Sequence, residues 1–515
     1  MRVFRIQLHP NASNTFTHEQ VKEILRKYNV IGVDVWDEVA ESMGVYHKPL
    51  TQWDPEDFEK YDEIITHRRK SQKPDASEST FGKNLKDVFL SMREGDLVLV
   101  HHGSTPIALV QIIGPYFMSE DINDVLWFRH RYPVKILGWY DEYKRILPNV
   151  NIPKSGTIQK LKEESMTPTY RFITLWKKEV LRLDKVKEIL HLLQHNPNLI
   201  LFGPPGTGKT HMARVVASVL VSGETFPLEG EIETRINGKD LQAVLNENKD
   251  RWALVQFHPA YNYDDFVLGI EVSETGESGS HLRFQKVWRV LGKMCEKARK
   301  NSKKPFVLIL DEINRANLPA VLGELIYALE YRGERVNVLY GEELVIPPNL
   351  YIIGTMNTAD RSAGRIDYAI RRRFTFFPMP ADPEQADPVY GRPLMEAVNS
   401  FIQKNVAPDY DPEDLQIGHT YFMSHRQDDE KRQELAYKFL YQVIPLLYEY
   451  IQDGLVRGDL AEDSTSKGWK LPLDFDLARG QKEDKKDYVI RGGRLYDGNA
   501  PLRIEDLWFV KKNAE

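Results

Sequence analysis

Cysteine is almost absent: Cys295 is the only one in 515 residues. No disulfide can close within the chain and no zinc site can be assembled from clustered thiolates, which suits a reducing cytosol. Long apolar runs are missing too. No stretch of 18 consecutive apolar residues occurs, and the start, Met1-Arg2-Val3-Phe4-Arg5-Ile6, lacks an apolar core of signal-peptide length. A soluble cytoplasmic protein without a membrane partner is expected. Positive charge is not in surplus. Acids outnumber bases by 75 to 69, for a net charge of −6, so any grip on nucleic acid must come from a local patch. There is no internal repeat and no long low-complexity tract. What remains is a globular composition, 42% hydrophobic, in a chain long enough for about two to four domains.

The most informative stretch is Gly203-Pro204-Pro205-Gly206-Thr207-Gly208-Lys209-Thr210. It follows the apolar run Leu199-Ile200-Leu201-Phe202 and precedes Met212-Ala213-Arg214-Val215-Val216-Ala217. Strand, glycine-rich loop and helix in that order make a phosphate-binding P-loop. The glycines let backbone N–H groups converge on phosphate oxygens, and the helix directs its positive end at the same place. Lys209 is expected to reach the terminal phosphates and the Thr210 hydroxyl to ligate Mg²⁺. His211 closes the stretch assigned to the nucleotide.

Further apolar strands at 252–257, 306–310, 350–354 and 374–377 join 199–202, separated by helical patterns. Such strands argue for a parallel α/β sheet covered by helices on both faces. The strand Phe306–Leu310 ends in Asp311-Glu312, an acidic pair at the edge where ligands of open sheets collect. Asp311 is expected to hold Mg²⁺, and Glu312 to polarise the attacking water. Asn357, after the strand Leu350–Met356, occupies the sensor position of an AAA+ P-loop NTPase, or is simply an amide at a strand end. Arg371-Arg372-Arg373 stands where that class places arginine fingers, although arginines also complement a helix C-terminus. A finger acting on a neighbour's nucleotide implies a ring. Ser273–Ser280 reads as a mobile loop, Pro148–Pro168 as a peripheral excursion, and 381 to about 460 as helical.

Two strings, Asp311-Glu312-Ile313-Asn314-Arg315-Ala316-Asn317 and Met356-Asn357-Thr358-Ala359-Asp360-Arg361-Ser362, closely resemble the McrB family of AAA+ GTPases from modification-dependent restriction systems. Phe257–Phe266 and Ile417-Gly418-His419-Thr420-Tyr421-Phe422-Met423 extend the resemblance across about 180 to 460. It implies that Asn357, Asp360 and Arg361 lie at the γ-phosphate and catalytic water, with Asp367 pairing into that network. It implies that Arg315, Arg372 and Arg373 act from the adjacent subunit of a homo-oligomer, a hexamer. GTP as substrate and an McrC-like nuclease partner are also implied by resemblance alone. No nuclease constellation of carboxylates and lysine is evident in this chain, which agrees with cleavage being delegated.

Residues 1–178 read as an independent α+β unit, with strands around 97–100, 107–113 and 134–137. Met92–Val100, Ile107–Gly114 and His130–Val134 resemble EVE-like domains of the PUA superfamily, small β-barrels that accept a flipped modified base. Such a pocket needs aromatic walls and a few polar groups. Trp36, Trp53, Tyr116 and Trp127 are candidate walls, each otherwise an ordinary core or rim aromatic. Arg68, Arg69, Lys70 and Lys73 form a basic cluster that could grip DNA phosphates or simply be solvated.

The expected architecture is an EVE-like domain over 1–178, an AAA+ α/β domain over 179–380, a helical lid over 381–460 and an extension over 461–515. The expected function is a GTP-hydrolysing motor that reads modified double-stranded DNA for a partner nuclease. The alternatives are a MoxR-like ATPase remodelling proteins, or a modified-base binder with a regulatory nucleotide site.

Overall fold

The computed structural model describes the chain except residues 1, 9–16, 124, 145, 154–156, 162–166, 224–240, 276–280, 361–365, 425, 427, 460–468, 474, 481–485, 499 and 512–515. The chain divides into two compact units between Asp184 and Lys185, within the helix Pro168–His195.

The N-terminal unit is built on strands β1 (Val3–Gln7), β2 (Val30–Val33), β3 (Leu97–His102), β4 (Thr105–Ile112), β5 (Phe117–Met118), β6 (His130–Trp139) and β7 (Ile158–Leu161). They pair in the order β2-β6-β4-β3-β1-β7, with β5 beside β6. β1 and β3 run parallel and the other pairs antiparallel. Among the described residues the pairing path is open, with no hydrogen-bonded closure into a barrel. The expected excursion after Pro148 contains an edge strand, because Ile158 and Leu161 turn inward and are buried. The helices His18–Tyr28 and Pro55–Gln72 bury Val21, Ile24, Leu25, Phe58, Tyr61 and Ile65 in the same core as Phe4, Val98 and Val110.

The second unit has a five-stranded parallel sheet. Its strands are β8 (Asn198–Gly203), β9 (Trp252–Gln256), β12 (Phe306–Asp311), β15 (Leu350–Asn357) and β16 (Thr375–Pro378), in the order β16-β8-β15-β12-β9. Alternation places Ile200, Leu308 and Ile352 in one core with the helix Val290–Lys300. Leu199, Leu201, Val307, Ile309 and Ile353 face the other core, with the helix Lys209–Ser222. Helices cover both faces, as apolar parallel strands require.

Between β9 and β12 lies a hairpin of β10 (Leu268–Thr275) and β11 (His281–Trp288), so Ser273–Thr275 is strand rather than loop. The rest of the expected loop falls outside the described residues. A second hairpin, β13 (Arg335–Val338) and β14 (Glu342–Val345), precedes β15. Helices Gly391–Asn405, Asp428–Lys438 and Ile444–Gln452 form the lid. Strands β17 (Trp469–Leu473), β18 (Lys486–Arg491), β19 (Arg494–Asp497) and β20 (Ala500–Pro501) form an antiparallel sheet. Leu471, Tyr488 and Ile490 of that sheet join Val398, Phe401 and Leu447 in the lid core.

Candidate nucleotide-binding site

The P-loop leaves β8 at the C-terminal edge of the sheet. Gly206 and Gly208 have φ of 76° and 78°, a region that costs other residues strain. The lid closes directly on the loop. Gly418 N–H donates to Pro205 O at 2.9 Å and Thr420 N–H to Gly206 O at 2.9 Å. The approach is so close that a Cβ on Gly418 would lie 2.1 Å from the Gly206 carbonyl carbon. The Lys209 ammonium is buried and donates to Gly203 O at 2.9 Å and Pro204 O at 2.7 Å. Burial lowers it to about 8, against the opposing pull of Glu312 and Asp311. His211, one residue beyond Thr210, is exposed.

Asp311 ends β12 and organises the acidic side. Its Oδ1 accepts from the Thr210 hydroxyl at 2.7 Å and the Thr355 hydroxyl at 2.6 Å. Thr355 in turn accepts the Glu312 N–H at 3.1 Å. Glu312 has φ of 55°, a left-handed conformation unusual for a residue with a side chain. Its carboxyl is raised above the ordinary glutamate range, first by burial and then by Asp311 and Asp360, with Arg315 and Lys209 opposing. Asn357 donates from Nδ2 to Glu312 Oε1 at 2.5 Å. The buried Asn314 donates from Nδ2 to Asn357 O at 3.1 Å, which holds the other end of that residue. Glu312 Oε2 and Asn314 Oδ1 are buried with no hydrogen bond. A water can offer two hydrogens to such acceptors. Thr355 and Asn314 were not singled out from sequence.

The Mg²⁺ expectation fits this donor set. No group of three or more His, Cys, Asp or Glu side chains suited to a metal occurs among the described residues. Mg²⁺ bound with a nucleotide needs no such cage, because it keeps several waters and takes one or two protein ligands plus phosphate oxygens. Thr210 and Asp311, already in contact, supply oxygens of the required kind.

The remaining candidates divide. Arg315 Nε lies 3.0 Å from Asp360 Oδ2 and 3.5 Å from Glu312 Oε2, so it binds carboxylates of its own chain. Arg373 is likewise engaged within its chain, through Ile326 O, Ala369 O and Glu330. Arg372 is exposed. Asp367 caps the helix Tyr368–Arg371, its Oδ1 accepting from Ala369 N at 3.2 Å. Arg361 lies outside the described residues.

In the N-terminal unit, Trp53 is 6% exposed and packs on Phe58 and Tyr61, so it is a core residue rather than a cage wall. Tyr116 is also committed internally. Its hydroxyl accepts from Leu50 N at 3.0 Å and pairs with His130 Nδ1 at 2.7 Å, and its ring stacks on His130. Trp36 and Trp127 are half-buried. Near Trp36 in sequence is a polar group that sequence reading passed over. Arg129 lies 4.1 Å from the Tyr46 ring centroid and 3.2 Å from Glu120. Asp34 is raised to about 7 by burial and by Asp37. In the basic cluster, Arg68 pairs with Glu38 at 2.9 Å and Lys70 with Glu78 at 3.6 Å, while Arg69 and Lys73 are exposed. No helix among the described residues is long and apolar enough to cross a membrane.

Comparison with known proteins agrees with this geometry. The family described as AAA domain (dynein-related subfamily) matches residues 198–374, and the McrB alpha-helical lid domain matches residues 392–457. The chain is 33% identical over 292 residues to the type IV methyl-directed restriction enzyme EcoKMcrB subunit of Escherichia coli K12, covering 52% of this chain and 57% of that protein. It is 28% identical over 237 residues to the type II restriction enzyme BsuMI component YdiS of Bacillus subtilis 168, covering 38% of this chain and 62% of that protein. The matched regions thus span somewhat more than half of each relative.

Proposed function

We propose, from the premise that this chain belongs to the McrB family of AAA+ proteins, that it is the nucleotide-hydrolysing motor subunit of a restriction system. The observation that carries the reading is one connected site: Lys209 on the P-loop, Thr210 and Thr355 on Asp311, and Asn357 on Glu312. Lys209 and the P-loop amides bind the triphosphate of GTP, the substrate preference being taken from the family. Mg²⁺ held by Thr210 and Asp311 would neutralise charge on the β- and γ-phosphates. Glu312 accepts a proton from the attacking water, a role suited to a carboxyl whose pKa is raised. Asn357 orients Glu312, and Arg315 with Asp360 holds its outer face. Homo-oligomerisation, as a hexamer, brings an arginine from a second copy to the phosphate, a contribution typically worth about 10³–10⁵ in rate.

The N-terminal unit, read as EVE-like, recognises methylated double-stranded DNA. Trp36 and Trp127 are the surviving candidate walls, with Arg69 and Lys73 free of the pairs that hold Arg68 and Lys70. An McrC-like subunit supplies the nuclease. Turnover of GTP and ATP by the purified chain, alone and with that subunit, tests the motor. Glu312→Gln is expected to bind nucleotide but hydrolyse it at least about 10²-fold more slowly. Wild-type hydrolysis by that variant, or turnover of ATP in preference to GTP, would refute the corresponding assignment.

A further inference from the structure

We infer that the outer face of the C-terminal antiparallel sheet, where Arg491 and Arg494 stand opposite each other beside Lys470, is a second contact for the phosphate backbone of duplex DNA. The inference goes beyond the base reading assigned above to the N-terminal unit, and it rests on the proposal that the chain works on DNA.

Strands β17, β18 and β19 present two faces by alternation. Leu471, Tyr488, Ile490 and Leu495 turn inward and are buried in the lid core. Lys470, Val489, Arg491, Arg494 and Tyr496 hold the alternate, outward positions and are half-buried or exposed. In register, Lys470 pairs with Val489, Val489 with Tyr496, and Arg491 with Arg494. The last pair closes a hairpin over Gly492 and Gly493. Their φ values of 53° and 73° meet the demand of a tight two-residue turn for positive φ at both central positions. The two arginines therefore flank a short, defined turn on a sheet that is anchored in the lid.

Like charges directly opposite on neighbouring strands destabilise a sheet, so stability alone gives no reason for this pair. Arg491 Cζ lies 5.4 Å from the Tyr496 ring centroid, over the outer face. Arg494 is exposed, and its side chain and that of Lys470 make no hydrogen bond or ion pair among the described residues. Asp487 is the one acid at an outward position of the described strands. The face is thus locally positive in a chain whose net charge is −6. Opposed residues place their Cβ atoms about 4.5–5.5 Å apart, so both guanidinium groups can reach the oxygens of one phosphate, each through paired N–H donors. Lys470 is the diagonal neighbour of Arg491, about 7–8 Å away, and can meet a further phosphate of the same backbone as a point charge. A row of cations over a flat sheet complements a run of phosphates better than it does a lone anion. Contacts of this kind position a duplex and read no base.

The test uses the full-length chain and follows binding of methylated and unmethylated duplexes by fluorescence anisotropy, across about 50 to 200 mM salt. It compares Arg494→Ala, Arg494→Glu and the Arg491→Ala/Arg494→Ala double variant. Arg494→Ala is expected to weaken both duplexes by the same factor and to make the slope of log affinity against log salt shallower by about 1, the double variant by about 2. The methylated-to-unmethylated ratio, and GTP turnover without DNA, should stay at the wild-type values. Arg494→Glu should raise Tm, because it sets opposite charges across the strands, while it weakens DNA binding further than Arg494→Ala does. Tm and affinity moving in opposite directions separate a phosphate contact from support of the fold. Arg494→Ala, at an exposed position, keeps the test open if the double variant does not fold. Wild-type affinity and salt slope in Arg494→Ala and Arg494→Glu would overturn the inference and leave the reading of the N-terminal unit standing. Unchanged duplex binding with weakened binding of polyglutamate would give the face to an acidic protein segment, and a loss confined to the methylated duplex would give it to base reading; each overturns the inference. A wild-type chain that binds neither duplex would refute the DNA reading itself, and the inference with it.

Discussion

Lys209 shows how one buried charge couples binding to pH. Burial sets its ammonium near 8, whereas an ordinary lysine titrates near 10.5. Between those values the folded chain has shed a proton that the unfolded chain keeps. The stability contribution of this group therefore rises with pH across about 8 to 10.5 and is least favourable below it. Phosphate binding works in the opposite sense, because anionic oxygens favour the ammonium. Affinity for GTP is expected to fall about tenfold per pH unit above pH 8, read by titrating a fluorescent analogue. A flat profile to about pH 9.5 would show that burial does not lower this ammonium or that it does not meet the phosphates. Thr355 makes a second case. Thr355→Val keeps the shape but deletes the hydroxyl that donates to Asp311 and accepts from Glu312. The loss should be about 1–3 kcal/mol in urea unfolding, with turnover reduced and nucleotide Kd held. Unchanged turnover would show that the bridge does not position Glu312. Asp311, Glu312 and Asn357 were legible in the sequence because they end, or directly follow, a strand in a recognisable string. Thr355 was not, because threonine in a strand is an ordinary β-former.

The elements were read most easily where burial is complete. All five strands of the parallel sheet lie where continuous apolar runs predicted them: β8, β12 and β15 are covered on both faces, while the edge strand β9 is only partly buried. The β10–β11 hairpin was hidden because its paired Val272 and Phe284 are exposed, so the alternation there reports no buried face. The docking of Gly418 on the P-loop was equally invisible, because its close partner is 212 positions earlier (418 − 206). It gives a prediction at this scale. Gly418→Ala would set a methyl 2.1 Å from the Gly206 carbonyl carbon and strain both backbone bonds between lid and loop. Overpacking of this kind costs about 1–3 kcal/mol. The variant should melt earlier and bind nucleotide more weakly, as followed by calorimetry with and without GTP. Wild-type binding and Tm would mean that the lid yields there without disturbing the phosphates.

At the scale of the whole molecule, two units with separate cores carry the two proposed activities, so each can be damaged alone. The strand–helix alternation of the parallel sheet and the helices after it were legible from the change of pattern along the chain. The base-reading face was not, because aromatic side chains fill cores and line pockets alike. The structure separates the four candidates by burial. Trp53 is inside and Tyr116 is tied to Leu50 and His130, whereas Trp36 and Trp127 are half-buried at the edge of the core. Trp36→Ala and Trp127→Ala in the full-length chain should therefore abolish preference for methylated over unmethylated duplex, measured by fluorescence anisotropy. GTP turnover without DNA should continue at the wild-type rate, since the nucleotide site lies wholly in the other unit. Trp53→Ala is the contrasting variant, because truncating a buried aromatic costs about 3–5 kcal/mol and should appear first as a lower Tm. If both of these variants still discriminate methylated DNA while remaining folded by circular dichroism, these rings are not the reader. If Trp53→Ala loses discrimination at unchanged Tm, the wall belongs to the residue that the structure places inside.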